Sequence, residues 1–326
     1  VLFRPAFAVQ ARELTQSQTI LQNQIEKFGD HMFKQGSIVI PGGVAFDDKY
    51  YAVKLTSISS SNTLAQFTTG TIITGGTSGV VAEIINTAAL SGSDPDTLYV
   101  KYEKTGTNNT SFVFSDGETI TGTNSDSVAL SAVVNTTATG SAAIGSAGTY
   151  YLNGFFVQAD AETLILDKYT NTPSYRIGYT VTESFVTPND DTTLNDNATG
   201  SSNVNAPGAH RFKILLTLTK KTLSSTEDSN FFELLRVEDG KIKGQARATE
   251  YNILEETLAR RTFDESGDYV LTNPEFDIRE HLLSGTNRGI NTSGNGGSEA
   301  KLAVGVSPFK AYVNGYEAEI LSTTYV

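Results

Sequence analysis

Cysteine and tryptophan are absent from the 326 residues, methionine occurs once and histidine three times. Without cysteine there are no disulfides, no thiolate nucleophile and none of the usual structural zinc sites. The three histidines (His31, His210, His281) stand far apart, and each is expected to make a local hydrogen bond rather than to react. Basic residues are also few. Lys+Arg 24 against Asp+Glu 36 leaves a net charge of −12 and a pI near 4.8. Phosphate backbones are gripped by clustered Lys and Arg, so no nucleic-acid partner is expected, and no anionic membrane surface. No stretch approaches the ~18 consecutive apolar residues of a membrane helix, which argues against direct membrane insertion.

The groups that catalysis needs are likewise missing. Glu255 and Glu256 lie on a predicted helix, where adjacent side chains diverge by ~100° and cannot share a substrate. Asp190-Asp191 and Asp94-Pro95-Asp96 sit in turn sequence, where Asp bonds its own backbone. Asn195-Asp196-Asn197 with Gly200 is only a fragment of a calcium loop. Neither a Gly-x-Ser-x-Gly elbow nor a phosphate-binding loop occurs. The expectation is no enzyme, no metal and no cofactor. The Asn-x-Thr/Ser sequons, Asn108 among them, matter only in a secreted eukaryotic protein.

What is present is a β-protein. Charged residues make up only 18%, and Thr, Ser, Asn and Gly crowd the middle of the chain. The length exceeds one ordinary core. The pattern predicts a mainly β, multi-domain chain with an N-terminal α-helix and β-sandwich or barrel-like modules. Its parts are a helical assembly segment (1–36), a β-rich core (37–65 plus 139–248), an inserted small β-domain (66–138) and a C-terminal β-rich region with a short helix (249–326). A chain that starts at Val1 and stops at Val326 in a strand-like run is expected to be part of a longer one.

In the first segment Leu14, Gln18, Leu21, Ile25, Phe28 and Met32 recur at steps of four and three, a heptad seam containing one Gln. Two readings remain open: the seam packs on the chain's own sheets, or helices from several chains meet along it. Fewer than three heptads cannot hold an oligomer alone, so in the second reading the seam assists assembly. The helix is expected to end or kink at Gly29, or to run on to Gly36.

From Ser37 the period changes to two, with a turn signal at Pro41-Gly42-Gly43. Within 66–138, Phe67-Thr-Thr-Gly70-Thr-Ile-Ile-Thr-Gly75 aligns with Phe114-Ser-Asp-Gly117-Glu-Thr-Ile-Thr-Gly122 at an offset of 47, and Ser78, Val81 and Ala82 continue the match. Each copy reads as strand, turn, strand. Tyr99, Tyr102, Phe112 and Phe114 can all be spent in this module's core. Thr139–Gly148, made of Gly, Ser and Ala, reads as a return linker. Residues 187–208 read as a long surface loop. Tyr251, Leu254, Thr257, Leu258 and Arg261 share one face of a helix over 249–262. Asn153-Gly154 and Asn314-Gly315 are hairpin turns.

Leu2–His31, Ala206–Ile214, Leu258–Tyr269 and Lys310–Glu317 together resemble large tail-associated virion structural proteins of contractile-tailed bacteriophages, common among cyanophages. The resemblance spans nearly the whole chain apart from 66–138, which is similar to small β-modules inserted into tail and baseplate proteins. It implies a place in the virion, at the tail or baseplate, as a scaffold or adaptor linking the tail to fibres. The implied partners are further copies of the chain, as a dimer or trimer, other tail and baseplate proteins, and tail fibres. It also implies longer chains that continue past Val326. The expected assembly surface comprises the helical seam (Leu14, Gln18, Leu21, Ile25, Phe28, Met32) with Pro207 and Arg211. The alternative is a receptor-binding fibre or spike protein that grips host glycan through the inserted module.

Overall fold

The computed structural model describes every residue except 41, 108, 201, 227, 228, 247, 248 and 252, together with the side chain of 295. The expected proline turn at 41 and the sequon at Asn108 lie outside the described residues. The protein is mostly β, with several sheets, a long N-terminal helix and a second, shorter helix.

Helix α1 (Ala11–Met32) leads to β1 (Ile38–Ile40) and β2 (Gly43–Ile58). Next come β3 (Ile72–Gly75), β4 (Val81–Ala88), β5 (Thr97–Lys104), β6 (Thr119–Thr123) and β7 (Ala129–Ser146). Strand β2 pairs with β5, β5 with β4, β4 with β3, β3 with β6, β6 with β7, and β7 again with β2. Six antiparallel strands thus close into a barrel, which removes the exposed edges that an open sheet carries. Its interior is filled by alternate side chains, among them Leu55, Ile73, Ile84, Leu98, Ile120 and Val134. The barrel is larger than residues 66–138, because β2 supplies one of its walls.

The duplication is visible in the strand register. Backbone pairs Ile72↔Glu83 and Ile73↔Ala82 of β3–β4 recur as Thr119↔Val133 and Ile120↔Ala132 of β6–β7. First strands are therefore related by 47 residues and second strands by 50. The sequence match of Val81 and Ala82 to Val128 and Ala129 is displaced by three, because the second turn is that much longer. Asn124 braces this turn, accepting from the N–H groups of Asp126 and Val128 (both 3.0 Å). Strands β3 and β6 then pair with each other about Thr74↔Thr121, with Ile73↔Gly122 and Gly75↔Ile120 on either side. The two copies meet as a twofold-related pair inside one chain.

Strands β2 and β7 continue out of the barrel for 16 and 18 residues in all. The predicted return linker at 139–148 is therefore mostly strand. Its small residues have a steric purpose: Ser141, Ala142 and Ala143 are fully buried, and Ala142 packs with Tyr50 and Tyr99, whose rings stack 4.8 Å apart. Composition read as flexibility is here close packing.

The chain goes on through β8 (Gly148–Leu152), β9 (Phe155–Ala159), β10 (Glu162–Asp167), β11 (Tyr175–Val186), β12 (Arg211–Thr222), β13 (Phe231–Glu238) and β14 (Lys241–Gln245). Strand β10 joins the outer end of β7; β1, β8 and β9 form a three-stranded sheet; and β12-β11-β13-β14 form a four-stranded sheet. Val44, Leu152, Leu166, Ile177, Leu218 and Leu235 close a second core among these elements. After it come α2 (Ile253–Ser266), β15 (Tyr269–Thr272), β16 (Phe276–Glu280), β17 (Leu302–Val306), β18 (Phe309–Val313), β19 (Tyr316–Ile320) and β20 (Thr324–Tyr325). They make two small sheets, β15-β18-β19 and β16-β17-β20. The hairpin turns at Asn153-Gly154 and Asn314-Gly315 have positive φ at both residues, as a two-residue type I′ turn requires.

Candidate assembly surfaces

Helix α1 starts where the Gln10 N–H donates to Glu13 Oε2 (2.9 Å). It passes straight through Gly29 and stops at Phe33, whose N–H reaches Gly29 O (2.8 Å). It docks on the β8–β9 hairpin through Gln22, Glu26, Gly29 and Asp30. Gln22 Nε2 donates to Gly154 O (2.9 Å), and the Tyr151 hydroxyl lies 3.0 Å from Glu26 O and 2.8 Å from Asp30 Oδ1. Burial and the neighbouring Asp30 carboxylate push the Tyr151 hydroxyl well above its ordinary value. Gly29 is buried against the Tyr151 ring, and any Cβ there would overlap it. Phe33 caps the contact, with ring centroids 5.8 Å from Tyr151 and 5.7 Å from Phe156.

The docked face (22, 26, 29, 33) therefore has the same four-three-four spacing as the predicted seam, but one residue further on, about 100° around the helix. The seam itself is bare. Leu14, Leu21, Ile25 and Phe28 are 59, 60, 45 and 62% exposed. Gln18 is exposed as well, and Met32 is half-buried at the helix end. The reading in which this stripe packs on the chain's own sheets is overturned, because glycine and hydrogen-bonding side chains give the closer fit to the hairpin.

Helix α2 repeats the pattern. Ala259 is buried while Leu254, Leu258 and Arg261, which the spacing put on one shared face, are exposed. The Asn314-Gly315 turn sits too close to Ala259 O for any side chain at 315, so the small face of α2 faces that hairpin. Lys34 Nζ links the two helical regions through Glu255 Oε2 (2.8 Å).

The other predicted surface residues fall elsewhere. Pro207 bridges to Asn195, closing the 187–208 loop on itself, with Asp196 N to Ala206 O at 2.9 Å. Arg211 opens β12 opposite Val186 and donates to Ala209 O (3.0 Å). Beside Arg211, the rings of exposed Phe185 and Phe212 lie tilted at 51° with centroids 5.7 Å apart, and Phe212 lies 5.5 Å from Phe155 of the same hairpin that carries α1. Sequence reading passed over this aromatic group. The signal was there: phenylalanines on the outward ends of two long strands.

Several titratable groups are engaged in structure. Buried Arg176 donates from Nε to Glu233 Oε2 (2.5 Å) and from Nη1 to Ser225 O (2.8 Å), and Arg236 Nε holds the other oxygen of Glu233 (2.8 Å). Burial raises the Glu233 carboxyl, but hydrogen bonds from Arg236 and Arg176 outweigh it and leave it below the usual range. Asp190 and Asp191 bond Thr187 and Thr193, as turn aspartates do. His281 accepts from Ser298 N (3.2 Å) and braces a loop. Among the described residues, no three His, Asp or Glu side chains converge as metal ligands. None of their helices is long and apolar enough to cross a membrane.

On the barrel, Tyr51, Tyr102 and Phe112 line an open cleft with Glu103, Lys104 and Val113. Phe114 is in the barrel core, as expected, whereas Tyr99 is buried outside it, on the other side of β5 from Leu98 and Val100, against Tyr50, Ala52 and Ala142. Phe112 is not buried: it is exposed at the rim.

Residues 86–324 match a family described as a domain of unknown function (DUF4815). The match covers more than half of the chain. The chain belongs to this family. The DUF4815 match begins inside β4, so it takes in the second copy of the barrel repeat, strands β8 to β14 of the core and the C-terminal sheets, and leaves out α1, β1, β2 and β3. No curated protein and no solved structure matches the chain.

Proposed function

We propose that this DUF4815 protein is a non-enzymatic building block of a bacteriophage tail or baseplate, a scaffold or adaptor between the tail and its fibres. The observation that carries the assembling role is the outward apolar stripe of α1. Four large apolar side chains face solvent on a helix whose neighbouring face, about 100° away, is docked through Gly29 and Tyr151. A helix with that arrangement has a second partner to meet. The place in the virion rests on the resemblance in the four stretches named above. The acidic surface fits a part made in many copies, since like charge keeps unassembled chains apart.

One observation favours the alternative of a receptor-binding role. Phe112, Tyr51 and Tyr102 offer an aromatic rim with Glu103 and Lys104 beside it, the mix that stacks on and hydrogen-bonds to a sugar ring. The barrel has a natural excision point, because Tyr50 pairs directly with Gly140. Density for the chain in a reconstructed particle is expected at the tail or baseplate in fixed copy number. Particles that lack it contradict the proposal. Replacing 51–139 by an Asn-Gly turn is expected to leave particles assembled, and loss of adsorption by such particles would favour the receptor reading.

A further inference from the structure

The C-terminal sheet β16-β17-β20 is built inside out. Register places Phe276 opposite Val306, Ile278 opposite Val304 and Glu280 opposite Leu302, so these six side chains share one face. Phe276, Ile278, Leu302 and Val304 are 69, 65, 66 and 38% exposed. The other face is polar and sealed by its own contacts. Asp277 pairs with Arg279 (2.5 Å), the Tyr325 hydroxyl reaches Asp277 (3.3 Å), and the Tyr325 ring lies against Gly305, where no side chain would fit. Strand β20 is also tied to the core through Lys243 Nζ and Thr324 Oγ1 (2.9 Å). Among the described residues from 253 onward, the buried apolar side chains are Ala259, Ala303 and Ala311, and none is large. This region has sheets without a core.

We infer that this face is one half of a β-sandwich, completed by the same face of a second copy of the chain. Two such sheets pack about 10 Å apart with their inner side chains interdigitated. The four exposed residues offer roughly 500 Å² of apolar surface, the upper range for a lone patch on a monomer. Two copies together reach roughly 1,000 Å², where specific interfaces begin. The chain is strongly acidic, yet the only carboxylate among the six side chains of this face is Glu280, at one end, where Arg288 lines a cleft with it, Ile278 and Leu302. Copies related by a twofold axis through the middle therefore meet without opposed carboxylates. This contact is separate from the α1 stripe and independent of where the protein resides.

Because the chain has no cysteine, one introduced thiol is its only thiol. Ile278→Cys and Val304→Cys, made singly in the full chain, are expected to give a covalent dimer with a bis-maleimide spanning about 10 Å. Thr123→Cys on the barrel is expected to give none. The same cross-link is expected at high protein concentration when Leu21→Asp and Ile25→Asp are also present, which separates this contact from the helical one. If Ile278→Cys and Val304→Cys both react with a monofunctional maleimide yet cross-link no better than Thr123→Cys, something other than this face of a second copy is the partner, and the inference is overturned.

Discussion

Replacing Leu21 and Ile25 together by aspartate is expected to weaken self-association about a thousandfold while leaving the fold intact. Both side chains are largely exposed in the single chain, at 60 and 45%, so their loss removes little intramolecular burial. Surface changes of this kind alter folding stability by roughly 0.5 kcal/mol each. In an interhelical seam the account differs. Burying each aliphatic side chain contributes about 1.5–3 kcal/mol, and a carboxylate in its place loses that and adds a desolvation cost. A loss of about 4 kcal/mol corresponds to roughly a thousandfold in Kd. The seam spans fewer than three heptads, so it adds to other contacts and does not hold the assembly alone. Sedimentation over a dilution series, with circular dichroism to confirm the fold, reads both quantities. A variant that is folded and associates like the parent chain removes α1 from the interface.

The second large effect is expected in the barrel. Glu118 is buried between the two copies of the repeat. Its carboxylate accepts from Thr77 N (3.0 Å), Ser78 N (2.9 Å), Ser78 Oγ (2.8 Å) and Ser115 N (2.6 Å). It thus pins the first copy's turn to the start of the second copy. Glu118→Ala strands three backbone donors and is expected to cost roughly 3–4 kcal/mol. Hydrogen exchange at Thr77, Ser78 and Ser115 should quicken, and the barrel should unfold at lower denaturant. Unchanged protection at these amides would contradict the assignment.

The same residue sets a pH dependence. Burial raises its carboxyl, but the bonds from Ser78, Ser115 and Thr77 outweigh that and leave it below the ordinary 4.5. Stabilisation from a carboxyl held low is complete above its unfolded pKa and is lost as pH falls through the folded one. The stability gap between the parent chain and Glu118→Gln is therefore expected to be constant near neutrality and to shrink below about pH 4.

Local pattern carried much of the architecture. Alternation and Asn-Gly turns placed strands β8, β9, β18 and β19, and the offset of 47 exposed the duplication. Two features were not legible, for different physical reasons. Small residues at 139–146 look like a linker, because the tyrosines that need their narrow profile lie far away in sequence, at 50 and 99. The helix faces were assigned from apolar spacing, which reports where an apolar partner is wanted and not whether this chain supplies it. Gly29 was the available clue. A glycine inside a helix costs up to about 1 kcal/mol against alanine, so its presence in the last turn of α1 marks a close approach such as that of the Tyr151 ring. The same physics leaves the apolar sides of α1, α2 and the β16–β17 face exposed in the single chain, and those of α1 and the β16–β17 face are the surfaces proposed above to be kept for another polypeptide.

That reservation of apolar surface is the centre of the account, and the molar mass of the unmodified chain in solution tests it most directly. Light scattering on the 326-residue protein at micromolar concentration is expected to give a whole multiple, two or more, of 34.9 kDa. A stable value of 34.9 kDa with no dependence on concentration would contradict it.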